Sequence, residues 1–285
     1  MPARILDGRA LAAELRVAVA SRSAALRQRG VVPTLAVVIV GDDPESAAYL
    51  RGIKRVAGQV GVEVLEHALP VAAAETEVRA RLAALGQDDA VHGVLLQQPL
   101  PRSLSVRAIA DAVPPRKDVD GAHPSTQGRL AFGTGAPFVP ATPAAVMLIL
   151  ERSERWPLRG CETVVVGRSA VVGLPVALLL VGHDATVTIV HRSTTDLCAH
   201  LQRADLVVAA AGRPGLITGD MLRAGATVVD VGTTVVEGRT VGDVDASSAS
   251  AIAGELTPVP GGVGPVTNIA LMQNVLTAAE RLSSR

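Results

Sequence analysis

The stretch Thr163 to Pro175, TVVVGRSAVVGLP, carries the most readable chemistry in the chain. A β-branched run, then Gly167, then Gly173 opening an apolar segment, describe a buried parallel strand, a tight turn and a helix start. Gly167 lets the backbone turn, and Gly173 lets the helix pack closely against the sheet or a ligand. Free N–H groups at a helix start attract phosphate, so the chemistry is that of a dinucleotide site. The spacing is not the full G-x-G-x-x-G fingerprint, and taken alone it also fits an ordinary strand-to-helix turn. The next strand, Asp184 to Val190, ends in His191-Arg192-Ser193-Thr194. A carboxylate at this place favours NAD, whereas an arginine accommodates the extra phosphate of NADP. There is no acid here, and Arg192 stands in its place, so NADP is the expected cofactor.

The elements that position these residues alternate strand and helix. Strands are expected at Asp205 to Ala210 and Ala226 to Val231, with Gly212-Arg213-Pro214-Gly215 and Gly232-Thr233-Thr234 in the loops that follow. In the first half, Asp7 caps a helix running to about Gly30, and Thr34 to Val40 is a buried strand. Ser46 is expected to cap a second helix that closes near Gly61. A strand at Val62 to Leu69, a helix at Glu75 to Leu85 and a strand at Val91 to Leu96 follow, so both halves read as α/β. A short helix spans Ser103 to Ala112, and PPRKDVDGAHPSTQGRL then reads as a long polar loop of the functional kind. A helix from about Thr142 to Glu154 leads into the nucleotide half. TPVPGGVGPVT, Thr257 to Thr267, is the densest Pro/Gly stretch and suits backbone lying against a ligand; Asn268 to Leu282 is a final helix packing back on the first domain.

Composition narrows the class. The 285 residues suffice for two modest cores, and 27 basic residues balance 27 acidic ones with no block of like charge. Neither nucleic acid nor an anionic membrane surface is favoured. No apolar run reaches the roughly 18 residues a bilayer span needs, and the N-terminus lacks a signal-peptide pattern, so a cytoplasmic protein is expected. Cys161 and Cys198 lie far apart without ligand spacing and read as buried reduced thiols; the six histidines form no i,i+4 pair, so no metal is expected. The single tyrosine, Tyr49, stands out in a chain this poor in rings.

Five stretches in order, VLLQQPLP (Val94 to Pro101), KDVDG (Lys117 to Gly121), HPSTQGRL (His123 to Leu130), GRSAVVGLP (Gly167 to Pro175) and TPVPGGVGPVT, resemble the bifunctional methylenetetrahydrofolate dehydrogenase/methenyltetrahydrofolate cyclohydrolase family over essentially the full chain. The resemblance implies an N-terminal α/β catalytic domain of residues 1–140 and 268–285, a Rossmann-type NADP-binding domain of residues 141–267, and a cleft between them that takes tetrahydrofolate derivatives. It also implies a homodimer and a place in one-carbon metabolism that feeds purine biosynthesis. By the same resemblance Tyr49 lies against the folate ring, Gln97 is an active-site glutamine and Asp120 binds the pterin. Gly167, Arg168, Ser169, Arg192 and Thr233 become cofactor residues, and Pro260, Gly261 and Gly262 lie against the substrate.

One position departs from that pattern. The family has a catalytic lysine four residues after the tyrosine, on the same helix face, and this chain has Ile53 there. Lys54 lies about 100° further round the helix and is the substitute candidate, with His123 as another. Ala170 and Leu174 in the cofactor loop, Thr126, and PATPAA around Thr142 are smaller departures. Expelling a hydride from the methylene carbon moves no proton, but hydrolysing the methenyl cation needs a proton-transfer group near neutral pKa. The expectation is therefore retained NADP-dependent dehydrogenase activity with a weakened or absent cyclohydrolase. The competing readings are a bifunctional enzyme working through Lys54, a non-catalytic folate- or nucleotide-binding paralogue, and an oxidoreductase of the shikimate-reducing kind.

Overall fold

The computed structural model describes residues 2–284, the side chains of Pro44 and Glu45 aside. In chain order the first elements are β1 (Arg4–Ile5), α1 (Gly8–Gln28), β2 (Thr34–Val40), α2 (Pro44–Val60), β3 (Glu63–Leu69), α3 (Glu75–Gln87) and β4 (Gly93–Leu96). There follow α4 (Val106–Ile109), α5 (Pro124–Phe132), α6 (Ala141–Leu150), β5 (Glu162–Val166), α7 (Gly173–Gly182), β6 (Thr186–Val190), α8 (Leu197–Leu201), β7 (Leu206–Ala209) and β8 (Thr227–Asp230). The hairpin β9 (Thr234–Val236) and β10 (Arg239–Val241), α9 (Ala246–Ala249), β11 (Glu255–Leu256) and α10 (Val263–Ser283) complete the chain. Two compact units result, one of residues 14–141 and 268–285, the other of residues 1–13 and 142–267.

The first unit holds a parallel three-stranded sheet in the order β3-β2-β4. Every residue of β2 is buried, which is why its sequence, TLAVVIV, is a continuous apolar run. α2 begins at an Asp43 cap, whose carboxylate accepts from the N–H of Ser46 at 2.8 Å. Ser46, expected to be the cap itself, is therefore inside the helix, and its hydroxyl donates to the carbonyl of Gln98 at 3.3 Å. Residues 117–121 run beside β4, with a parallel bridge between Val94 and Asp118. The polar stretch expected as one long loop contains α5, capped where His123 Nδ1 accepts from the N–H of Ser125 at 2.9 Å.

The second unit is a parallel six-stranded sheet in the order β1-β11-β8-β7-β5-β6. From β5 the chain steps outward to β6, then crosses to β7 on the other side, so the β5/β7 pair is the switch point of a doubly wound sheet. Residues 1–13, expected in the catalytic domain, belong to this unit because β1 pairs with β11. The buried carboxylate of Glu255 gathers Arg4, the Ser153 hydroxyl and the Thr227 hydroxyl around that edge. α10 starts at Val263, five residues before the expected Asn268, with Pro265 tolerated in its first turn. Cys161 is buried and Cys198 only partly so; both are free thiols.

In the first unit α10 is tied to its neighbours by Asn274, whose Nδ2 donates to the carbonyls of Val119 and Val139, each at 2.8 Å. Asn274→Ala orphans both acceptors and should lower the unfolding free energy in urea by about 1–3 kcal/mol. A change within the scatter of the urea midpoint would show that neither bond matters to the position of the segment around Val119.

Candidate functional site

The first unit gathers the expected catalytic residues where β2 and β4 end. Tyr49 lies on α2, Gln97 follows β4, and Asp120 ends the segment beside it. Asp120 and Tyr49 are close enough for the carboxylate to act on the phenol: burial, and then the charge of Asp120, raise the Tyr49 hydroxyl above its ordinary range. Asp120 is itself pushed up to about 7, first by burial and then by the neighbouring Asp118. The two acids differ in their partners. Asp118 accepts from the N–H groups of Ala122 (3.0 Å) and His123 (2.9 Å) and from the Thr126 hydroxyl (3.2 Å), which makes it the anchor of the α5 start. No hydrogen bond or ion pair holds the Asp120 carboxylate among the described residues, so it is the acid left for a ligand.

Among the described residues four buried side-chain atoms of this unit lack partners: Arg16 Nε, His67 Nε2, and the amide oxygens of Gln97 and Asn268. Gln97 is 4 % exposed; its Nε2 donates to the Gln98 carbonyl at 2.7 Å, and its Oε1 accepts from no group among the described residues. Asn268 is also buried with an unpartnered Oδ1, and its Nδ2 sits 3.2 Å from where a Cβ on Gly52 would be. A buried amide oxygen without a donor costs roughly 1–3 kcal/mol, so both oxygens remain able to accept from water or a bound group. Asn268 was not expected as a site residue; an amide at the start of the apolar run NIALM was its only signal.

Ile53 is 0 % exposed. It lies two turns along α2 from Ser46, on the stripe that also buries Leu50, Val56, Ala57 and Val60. Lys54 is on the exposed side, where its Nζ pairs with Glu66 of β3. The structure therefore does not bring Lys54 to Tyr49, Gln97 and Asp120. His123 is committed as the α5 cap, its Nδ1 also contacting the Ser125 hydroxyl at 2.8 Å. A groove of about 860 Å³ elsewhere in the unit is lined by Thr34, His92, Arg116 and Lys117, and of the motif residues only Lys117 reaches it.

In the second unit the expected cofactor residues sit at the carboxyl ends of the strands. A Cβ on Gly167 would overlap the carbonyl of Ala210, which follows β7, and one on Gly173 would overlap the carbonyl of Gly167. Glycine is needed at both places to bring the β5 exit, the β7 exit and the start of α7 together. Ser169 Oγ accepts from the N–H groups of Val172 (3.1 Å) and Gly173 (3.3 Å), fixing the loop that enters α7. Arg168 and Arg192 are exposed and form no ion pair among the described residues. Around Arg192 the turn is held by His191, whose N–H donates to Thr194 Oγ1 at 3.0 Å. Thr233 is exposed after the β8 exit. Pro260 is exposed, while Gly261 and Gly262 are buried: a Cβ on Gly8 would overlap the Gly262 carbonyl, and one on Gly261 would lie 3.0 Å from Arg9 Nε. Close-packed glycines and two unpaired guanidinium groups fit a dinucleotide bearing an extra phosphate. Among the described residues no group of three or more His, Cys, Asp or Glu is placed to hold a metal ion, and no helix is long and apolar enough to cross a membrane.

Fold and loops together define a two-domain α/β protein with a nucleotide-binding sheet. Residues 140–283 match the NAD(P)-binding domain, and residues 6–120 the catalytic domain, of tetrahydrofolate dehydrogenase/cyclohydrolase. The chain is 50% identical over 280 residues to the bifunctional protein FolD of Chloroflexus aurantiacus, covering 98% of each chain. A Trypanosoma brucei methylenetetrahydrofolate dehydrogenase-cyclohydrolase, solved with NADP cofactor and an inhibitor, superposes with a TM-score of 0.93 at 37% identity, covering 100% of this chain and 99% of that one. Shikimate 5-dehydrogenase from Thermus thermophilus reaches a TM-score of 0.52 at 17% identity over 87% of this chain and 99% of that one, a likeness of fold alone. The chain belongs to the tetrahydrofolate dehydrogenase/cyclohydrolase family.

The Asp120 carboxyl gives a pH test. A model Asp titrates near 3.9, so with a folded value of about 7 the folded chain holds a proton that the unfolded chain has released between these values. Stability should then fall as pH rises through that window. Between pH 5 and pH 8 the wild type should lose on the order of 1–3 kcal/mol more than Asp120→Asn in urea unfolding. Parallel pH profiles for the two proteins would place the Asp120 carboxyl in water.

Proposed function

We propose that the chain is an NADP-dependent methylenetetrahydrofolate dehydrogenase of one-carbon metabolism whose methenyltetrahydrofolate cyclohydrolase step is weakened or absent. Family membership, the unpaired Arg168 and Arg192, and the glycine-lined switch point support the dehydrogenase. NADP accepts the hydride; Gly167, Arg168, Ser169, Arg192 and Thr233 hold it. In this reading residues 14–141 with 268–285 serve the folate, and residues 1–13 with 142–267 the cofactor. Tyr49 packs on the folate ring, Asp120 takes the pterin's N–H groups, and Pro260 to Gly262 line the substrate. The active form is a cytoplasmic homodimer.

The single observation that carries the second half is the complete burial of Ile53 at the place of the family's lysine. The hydride step leaves a cation delocalised over two folate nitrogens and requires only positioning and charge complementarity. Hydrolysis differs. A water oxygen bonds to the methenyl carbon and gives up a proton; the C–N bond that opens returns its electron pair to nitrogen, which takes up a proton. Ile53 handles neither proton. Lys54 is held by Glu66 and His123 by its cap, so neither substitutes. The unpartnered Gln97 Oε1 and Asn268 Oδ1 are acceptors suited to an ammonium group that this chain lacks.

Ile53→Lys should raise methenyltetrahydrofolate hydrolysis by about 10²- to 10⁴-fold while NADPH formation changes far less. Lys54→Ala should leave both rates unchanged. A large loss of hydrolysis in Lys54→Ala, with no gain in a folded Ile53→Lys, would transfer the role to Lys54 and sink the proposal.

A further inference from the structure

Two buried acids in the nucleotide-binding unit are surrounded by the chain's own backbone N–H groups. Asp243 is 0 % exposed. Its Oδ2 accepts from the N–H groups of Ala211 (2.6 Å) and Gly212 (2.9 Å), and its Oδ1 from that of Arg213 (2.7 Å). Three successive N–H groups converging on one anion form the kind of concavity that elsewhere binds phosphate. Here the chain's own carboxylate fills it. Asp230, at the end of β8, holds Asp243 in turn: its Oδ1 accepts from the N–H of Asp243 (3.0 Å) and of Gly232 (2.8 Å), its Oδ2 from that of Val244 (2.9 Å). Backbone bonds from Gly215 to the Gly242 carbonyl (3.1 Å) and from Ile217 to the Asp243 carbonyl (3.0 Å) close the far side of the same loop.

The position of this clasp matters more than its strength. Ala211 to Arg213 directly follow Ala210, whose carbonyl is the surface against which Gly167 packs. That contact lies at the β5/β7 switch point, where dinucleotides bind in doubly wound sheets. Gly232, held by Asp230, leads into Thr233 at the neighbouring strand exit. One pair of carboxylates thus fixes the exits of β7 and β8, and through Ala210 the exit of β5.

We propose that Asp243 is a positioning residue for NADP: its carboxylate, without touching the cofactor, holds the 211–213 loop in the bound conformation before the cofactor arrives. The inference rests on the NADP reading above. Holding three residues in advance removes an ordering cost that binding would otherwise bear. In Asp243→Asn one carboxylate oxygen becomes an NH2 donor facing N–H donors, so either Arg213 or both Ala211 and Gly212 lose their acceptor.

Three measurements test it. The Kd of NADP by titration calorimetry should rise about tenfold or more in folded Asp243→Asn, with kcat at saturating cofactor much less affected. Asp205→Asn, at the opposite end of β7 beside Arg223, should lower thermal stability and leave the Kd in place. In the wild type without cofactor, the amides of Ala211 to Arg213 should exchange hydrogen as slowly as those of β7, a readout that stands even if Asp243→Asn does not fold. Fast exchange there, or an unchanged Kd in folded Asp243→Asn, overturns the positioning role alone. A wild type that binds no NADP overturns it together with the reading beneath it.

Discussion

Removing polar groups from water is the cost that shapes both units. The buried acids of the nucleotide-binding unit meet it internally: backbone N–H groups surround Asp230 and Asp243, and Glu255 is held by an arginine and two hydroxyls. The catalytic unit leaves the same cost standing. Among the described residues the Asp120 carboxyl, Gln97 Oε1 and Asn268 Oδ1 have no donors, and in the proposed reading the cation that would meet them is replaced by Ile53. Settled polar groups hold the strand-exit loops of the nucleotide-binding unit, and in the proposed reading the unpartnered amides and Asp120 take their partners from the substrate.

That division underlies the proposal that isoleucine at position 53 separates the hydride step from hydrolysis. In the proposed reading, positioning a methylene carbon for hydride loss draws on packing and on Tyr49 and Asp120, and not on position 53. Moving protons draws on a group with a tunable charge, which Ile53 cannot be. An apolar side chain in this stripe also costs nothing to bury beside Leu50 and Val56, so the fold has no reason to resist the change.

The sequence was most legible where burial and periodicity coincide. The apolar run of β2, the strand-glycine-helix passage through Gly167 and Gly173, and the β6 end at His191-Arg192 were readable because each follows from backbone geometry or strand burial. β1 and β11, two residues each, are too short to show a period, and the β9–β10 hairpin carries no compact turn signature beyond Glu237-Gly238. α5 was hidden because its polar first turn, PSTQG, has neither an apolar stripe nor an ordinary cap; a histidine does the capping. Gln97 and Asp120 were proposed only through resemblance, since a strand-end glutamine and an aspartate before glycine have common structural uses, whereas Tyr49 stood out as the single tyrosine. Asn268, Asp230 and Asp243 were not singled out, because whether a polar side chain is buried and what it meets depends on contacts distant in sequence.

The most direct test of the account is the product formed by the wild-type chain from methylenetetrahydrofolate and NADP, following NADPH and the methenyl chromophore together in one cuvette. The account predicts that methenyltetrahydrofolate accumulates in step with NADPH and decays only at the buffer rate. NADPH formed while the methenyl signal stays flat, with 10-formyltetrahydrofolate as the product, would contradict it.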